Sequence, residues 1–168
     1  MILRTAGAAL VVSAIAVLAT GVDAVAEACP SIARDSTRVL EQPRDLDRPV
    51  RLEVRLAASG PIDLSACRAV PRDSVGIVGE MPAVTVRIHR HDAHDIAISA
   101  GAPCDTVLLT NDASGGWIFD DDGGGNLDPA LLVERPLEGA HDIWLGGYDA
   151  PGCDAVLTVE LLPRGPGG

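Results

Sequence analysis

The loop from Asp120 to Asp128 concentrates carboxylates that could hold a cation. Hard oxygen ligands on a bendable loop suit Ca²⁺. The loop is not an EF-hand, because Leu131 stands at the twelfth position, where a bidentate Glu is required. The alternative is a solvated turn whose side chains satisfy nearby backbone amides. The candidate calcium ligands surround three consecutive glycines and are Asp120, Asp121, Asp122, Asn126 and Asp128.

The aromatic residues of the chain all lie in its second half, beside this loop. Trp117 and Phe119 share one face of a short strand, and Trp144 points to the outer face of another. An outward tryptophan near carboxylates and glycines could stack on a sugar ring or dock a protein partner. The alternative is a tryptophan half-covered by a neighbouring loop. The candidate ligand-binding residues are therefore Trp117, Phe119, Trp144 and Tyr148.

Two further patterns could carry metal binding or catalysis. Residues 89–95 read HRHDAHD and could supply imidazole ligands for Zn²⁺ or Cu²⁺, although we favour a polar hairpin tip. Ser114 superficially resembles a protease serine, with His94 or His141 as possible bases. Its context lacks the Gly-x-Ser-x-Gly elbow, and Ala113 stands where trypsin-like enzymes have an aspartate. The sequence therefore favours a protein without catalytic residues and keeps a serine-peptidase-like enzyme as the alternative.

The first 26 residues are typical of an export signal. Arg4 provides a positive n-region, residues 6–22 form an uninterrupted small and apolar run, and Ala24 and Ala26 form a small-x-small cleavage pattern. We predict cleavage before Glu27 and a periplasmic or secreted location. A retained membrane anchor is the alternative, because the run reaches the lower length limit for spanning a bilayer.

The charge of the chain excludes two classes of partner. Its 168 residues carry a formal net charge of −11 and include no lysine. Nucleic acids and anionic membranes both require a cationic surface, so neither is expected to bind. A content of 47% hydrophobic residues argues against a disordered chain. The expected partner is an unknown protein or carbohydrate of the cell envelope, and the oligomeric state stays open.

Short alternating runs bounded by Gly, Pro, Asn and Asp predict an all-β domain. In the clearest run, Val50 to Leu56, apolar residues alternate with charged ones. About nine or ten short strands in one domain indicate a jelly-roll or Greek-key β-sandwich. We predict an irregular segment over 27–48, the sandwich over 49–162 and a disordered tail over 163–168. The predicted strands are 50–56, 62–65, 74–78, 83–89, 95–99, 106–110, 116–119, 130–134, 141–145 and 155–162.

Four cysteines beyond the predicted cleavage site indicate two disulfides in an oxidising compartment. None has the CxxC spacing of a zinc site. Ala-His-Asp-Ile occurs at 93–96 and again at 140–143, and each copy is followed by Cys-Asp-x-Val-Leu. Two similar hairpins would place both Cys-Asp steps at the same end of the sandwich. We therefore favour the pairs Cys104 with Cys153 and Cys29 with Cys67 among the three possible pairings.

The second half of the chain resembles a known family. After Cys104 come an Asp-led apolar strand, an acidic Asp-Gly loop, the pattern Gly-x-x-Asp-Ile-x-Leu-Gly at 139–146, and a closing strand of alternating Val and Leu. This order resembles the bacterial pre-peptidase C-terminal domain over 104–162, and more loosely over 49–103. It resembles still more closely small exported proteobacterial proteins that carry this module alone with four cysteines. His94 and His141 stand where the family usually has aromatic residues.

The resemblance implies a jelly-roll sandwich that serves secreted enzymes as an accessory or binding module, with calcium bound in some members. We expect an exported, non-catalytic binding or accessory module that Ca²⁺ could stabilise. A peptidase-type enzyme and a purely structural envelope protein are the alternatives. A Trp144 buried beneath other strands would favour the structural protein.

Overall fold

The computed structural model describes residues 29–33, 35–45 and 47–164. The predicted leader, 1–26, and the last four residues lie outside these ranges. Within them the chain forms eleven strands and one short 3₁₀ turn at Leu64–Ala66. The strands are β1 (Val39–Glu41), β2 (Val50–Ala58), β3 (Ile62–Asp63), β4 (Ile77–Val78), β5 (Val84–Ile88), β6 (His94–Gly101), β7 (Thr106–Asn111), β8 (Trp117–Asp120), β9 (Ala130–Val133), β10 (Gly139–Gly147) and β11 (Cys153–Pro163).

The strands form the two sheets of a β-sandwich, which confirms the predicted fold class. One sheet has four strands in the order β2-β11-β6-β9. The other has seven strands. β10 pairs with β7 on one side and with β5 and β4 on the other. Three more strands pair beyond these, β8 with β7, β1 with β5 and β3 with β4. From β5 onward the chain passes repeatedly from one sheet to the other, so residues distant in sequence meet at the ends of the sandwich.

Strand pairing extends past the predicted bounds of the sandwich at both ends. The segment 27–48 contains β1, which pairs in parallel with β5 and places Val39 opposite Thr85. Three residues are too few to produce a recognisable alternation. At the other end Pro163 belongs to β11, and the amide of Arg164 donates to the carbonyl oxygen of Ala93 at 3.0 Å. The ordered chain therefore extends beyond the predicted domain on both sides.

The main hydrophobic core lies between the two sheets. The alternation predicted for β2 is confirmed, because Val50, Leu52, Val54 and Leu56 all face this core. Full burial of each such aliphatic side chain contributes about 1.5–3 kcal/mol. The fully buried members on the other strands include Val84, Val86, Ile96, Leu108, Ile143, Leu157, Val159 and Leu161.

A second, smaller core covers the outer face of the seven-stranded sheet. The segment 62–70 crosses this face and buries Ile62, Leu64 and Val70 against Val107, Leu109 and Trp144. Side chains on alternate positions of β10 thus enter different cores, Ile143 and Leu145 between the sheets and Trp144 outside them. Neither face of β10 is left to solvent over these residues.

The two predicted disulfides are confirmed. Cys29 is bonded to Cys67, with a sequence separation of 38. This bond fixes the segment that covers the second core. Cys104 is bonded to Cys153, with a separation of 49, and joins the start of β7 to the start of β11. In the described ranges no helix is long and apolar enough to span a bilayer.

Candidate functional site

The four candidate aromatic residues differ in how far they are buried. Trp144 is only 1% exposed, so the expectation that it points outward to a ligand is wrong. Its direction away from the main core is as the alternation predicts, but the segment 62–70 covers it. Trp117 and Phe119 are partly buried against the same second core. Tyr148 is the most exposed of the four, with 40% of its area exposed.

Two of the predicted calcium ligands in the acidic loop accept hydrogen bonds from backbone amides. Oδ2 of Asp120 accepts hydrogen bonds from the amides of Gly123 at 2.9 Å and Ala130 at 2.8 Å. Oδ1 of Asp128 accepts from the amide of Ala102 at 3.3 Å. These three hydrogen bonds are the kind that the turn interpretation predicts. The five predicted ligands therefore do not stand together as a preformed cation cage.

Asp121 and Asp122 of the acidic loop, together with Asp149, lie near Asp105. This is the end of the sandwich that holds the Cys104–Cys153 disulfide. The carbonyl oxygen of Asp105 accepts a hydrogen bond from the amide of Tyr148 at 3.1 Å. The amide of Thr106 donates to the carbonyl oxygen of Leu127 at 3.4 Å. Loops 121–128 and 148–152 thus flank the start of β7. We call this surface the Asp105 rim and define it as Asp105, Asp121, Asp122, Leu127, Tyr148 and Asp149.

Negative charge on the Asp105 rim is not neutralised within the described chain. Burial raises the pKa of Asp105, and repulsion from Asp122, Asp121 and Asp149 raises this pKa further. Oδ1 of Asp105 is buried and has no hydrogen-bond partner among the described residues. A buried oxygen without a partner costs free energy, so a cation or an N–H donor brought to this point would be stabilised.

A small cavity adjoins the rim. It has a volume of about 320 Å³ and is lined by residues 59–60, Ile77 and 149–152. Gly152 has a positive φ of 77°, and a Cβ at this position would collide with the carbonyl oxygen of Ala58. Glycine is therefore required for loop 148–152 to approach the end of β2. Asp149 lies on the cavity wall, so the cavity opens beside the acidic surface.

The histidines of the HRHDAHD stretch do not converge. The exposed His89 contacts Glu41 at 2.6 Å, and His91 contacts Asp92 at 3.1 Å. His94 is fully buried on β6. Across the described ranges no three His, Cys, Asp or Glu side chains come together at a spacing that could hold a metal ion.

Ser114 does not form a nucleophile and base pair. Its hydroxyl donates to Oδ1 of Asp112 at 2.6 Å, and the same oxygen accepts from the amides of Ser114 and Gly116. This geometry is a side-chain turn that closes the loop between β7 and β8. The proposed base His141 is 3% exposed and contacts the carbonyl oxygen of Leu137 at 2.8 Å. Activation of the serine would need a hydrogen bond to an imidazole instead.

Sequence reasoning missed three members of the rim, namely Asp105, Leu127 and Asp149. Asp105 follows Cys104 in the repeated Cys-Asp sequence, so its position beside the disulfide could have been predicted. Leu127 and Asp149 join it only through the contacts of loops distant in sequence.

Comparison of the chain with protein-family models gives no match. Comparison with curated proteins and with solved structures gives none either.

Proposed function

We propose that the mature chain is an exported, non-catalytic binding module that holds a positively charged segment of a protein partner at the Asp105 rim. The observation that carries this proposal is the unpaired, buried Oδ1 of Asp105 amid the charges of Asp121, Asp122 and Asp149. An arginine or lysine of a partner would supply the donor and the charge that this chain, which has no lysine, does not bring to the site.

The apolar part of the rim favours a protein partner over a bare ion. Tyr148 is 40% exposed and Leu127 is 54% exposed, and both flank Asp105. An aromatic or aliphatic side chain next to a charge is typical of interface anchors. Ca²⁺, which the family resemblance implies, is the competing occupant of the same carboxylates. The engagement of Asp120 and Asp128 with backbone amides weighs against it.

Two features support export and the absence of catalysis. Both disulfides are of the kind that persists in oxidising compartments. The serine that resembles a peptidase nucleophile donates its hydrogen bond to Asp112, which is part of its own turn.

Calorimetric titration of the exported, disulfide-bonded protein with a tetra-arginine peptide tests the proposal at low and at physiological salt. We expect Asp121→Asn/Asp122→Asn to weaken binding by about tenfold or more, the scale of one lost charge-assisted contact. The matched control is Asp73→Asn/Glu80→Gln, which removes the same charge from exposed positions that are not members of the rim. This control should bind as the unaltered protein does.

Three outcomes contradict the proposal. Equal losses of peptide affinity in the two double variants would show that the peptide is attracted by the net charge alone. Absence of binding heat would show that the protein does not bind arginine-rich peptides. Binding of Ca²⁺ that excludes the peptide, and that Asp105→Asn abolishes, would assign the rim to the metal ion instead.

A structural envelope protein is the second candidate. The burial of Trp144 favours it, because the chain then presents a single exposed aromatic side chain rather than an aromatic platform. Under this function, removal of the rim charges would raise stability and change no binding property.

A further inference from the structure

His94 lies fully buried where β6 begins, and both of its ring nitrogens have partners from the segment that follows β1. Nδ1 stands 3.2 Å from Nε2 of Gln42, and Nε2 stands 3.3 Å from the carbonyl oxygen of Arg48. Gln42 is itself only 6% exposed. The imidazole therefore ties Gln42 and Arg48 to the start of β6.

The backbone fixes the orientation of the Gln42 amide. Its Oε1 accepts from the amides of His89 at 3.0 Å and Arg90 at 2.8 Å. The amides of His89 and Arg90 require an oxygen atom as their acceptor, so Oε1 of the Gln42 side chain must face them. Nε2 of Gln42 must then point towards His94. There it donates to the carbonyl oxygen of Arg90 at 3.1 Å and to Nδ1 of His94. Every donor and acceptor of the amide is then used.

This pattern holds His94 in one protonation state. Nδ1 must accept the Gln42 N–H, and Nε2 must donate to the carbonyl oxygen of Arg48, so the ring is neutral with its proton on Nε2. A second proton on Nδ1 would point at the Gln42 NH₂ group. Rotating the amide by half a turn would relieve that contact but leave the amides of His89 and Arg90 facing an NH₂ group. Neither orientation accommodates a protonated ring.

We propose that the contact between Gln42 and His94 is an acid-sensitive latch. At neutral pH it holds β1 and residues 42–48 against the turn between β5 and β6. When His94 takes up a proton, the latch opens, because only the released ring can keep both N–H groups solvated. The linkage is one proton for one opening event. The latch does not depend on the Asp105 rim, which lies at the start of β7.

Other titratable groups surround the latch on each neighbouring element. Glu41 of β1 pairs with His89, His91 lies next to Asp92 in the turn, and Asp95 of β6 pairs with Arg164 after β11. Arg44 and Arg90 line a groove beside Gln42, Glu134 follows β9, and His141 lies on β10. In the described ranges none of these side chains forms a hydrogen bond or ion pair with His94.

Hydrogen exchange of the backbone amides of residues 39–48 tests the latch in the full, disulfide-bonded protein. After correction for the intrinsic pH dependence of exchange, we expect the opened fraction to rise severalfold when the pH is lowered from neutral to mildly acidic. His94→Asn keeps an acceptor for Gln42 but no titrating ring, and it should abolish the acid response. His91→Asn removes a neighbouring imidazole and should leave the response intact.

A second variant covers the case in which His94→Asn does not fold. Gln42→Glu presents a carboxylate oxygen to Nδ1, so acid should close the latch and lower the exchange of these amides. The latch is wrong if acid opens residues 39–48 equally in the unaltered protein and in the variant of His94 or Gln42. It is also wrong if acid does not open this segment in the unaltered protein.

Discussion

The indole rings of Trp117 and Trp144 pack against each other with centroids 5.4 Å apart and planes tilted by 42°. Trp144 belongs to β10 and Trp117 to β8, with β7 between them in the sheet. The covering segment 62–70 lies over the same face. The two tryptophans thus stabilise the outer layer of the fold and leave Tyr148 as the exposed aromatic residue.

Truncation of Trp144 should lower the stability of the fold. Trp144→Ala is expected to lower the free energy of unfolding by about 3–5 kcal/mol, because it removes a large buried ring. Tyr148→Ala, at an exposed position, should change this free energy by about 0.5 kcal/mol or less. Urea unfolding followed by circular dichroism measures both values. Similar losses in the two variants would contradict the assignment of Trp144 to the core.

The Asp105 carboxylate should be destabilising at neutral pH. Its pKa in the folded protein is raised above 3.8 by burial and by the neighbouring aspartates. The folded state therefore binds the proton more tightly than the unfolded state does. The resulting stabilisation is fully present below pH 3.8 and is lost as pH rises through the raised folded value.

Asp105→Asn should therefore melt at a higher temperature than the unaltered protein at pH 7. The difference should shrink as pH falls towards 3.8. Thermal denaturation across this range measures it, with Asp73→Asn as a charge-matched control that should show no such gain. A lower melting temperature of Asp105→Asn at pH 7 would mean that the carboxylate has a stabilising partner.

Ser114 should matter for the stability of its loop. Burial on its own raises the pKa of Asp112, but hydrogen bonds from Ser114 and Gly116 and the charge of His141 outweigh this effect and lower the pKa. The depressed folded pKa gives stability that is present above 3.8 and lost as pH falls through the folded value.

Ser114→Ala should accordingly cost about 0.5–1.5 kcal/mol at pH 7, the net value of one hydrogen bond. This cost should decline in strong acid, where Asp112 is protonated. Chemical unfolding at pH 7 and near pH 2 measures the change, with Ser99→Ala as an exposed serine control. A cost that does not depend on pH would contradict the role assigned to the Asp112 carboxylate.

Loss of the two disulfides should expose the tryptophan side chains to different extents. In the chain-entropy treatment, loops of 38 and 49 residues each contribute about 4 kcal/mol. Cys29→Ser/Cys67→Ser should also shift tryptophan fluorescence to longer wavelength, because Cys67 belongs to the layer that covers Trp144. Cys104→Ser/Cys153→Ser should lower stability with a smaller shift. Equal spectral shifts in two folded variants would contradict this layering.

Local patterns predicted most of the sandwich, because strand alternation is a property of neighbouring residues. The faces of β2 and β10 followed from such alternation, and the repeated Cys-Asp step predicted the disulfide between Cys104 and Cys153. The burial of Trp144 could not be predicted in this way, since it depends on a segment about 75 residues earlier in the chain. The apolar residues Ile62, Leu64 and Val70 next to Cys67 were the available signal for that covering layer.

The candidate site was predicted only in part for the same reason. Asp121, Asp122 and Tyr148 were chosen for their residue types, and they lie on the rim. Asp120 and Asp128 were chosen for the same types, yet their carboxylates accept hydrogen bonds from backbone amides. Which carboxylates are engaged by amides depends on the turn geometry, and the sequence does not specify it. The latch residues Gln42 and His94 are separated by 52 positions and carry no common motif.

Chemical-shift mapping by nuclear magnetic resonance tests the location of the contact surface most directly. With the tetra-arginine peptide added to the disulfide-bonded protein, we expect amide shifts confined to residues 104–106, 121–128 and 148–152. Shifts spread over the outer face of the four-stranded sheet, or shifts that persist unchanged in Asp121→Asn/Asp122→Asn, would contradict a binding surface at the Asp105 rim.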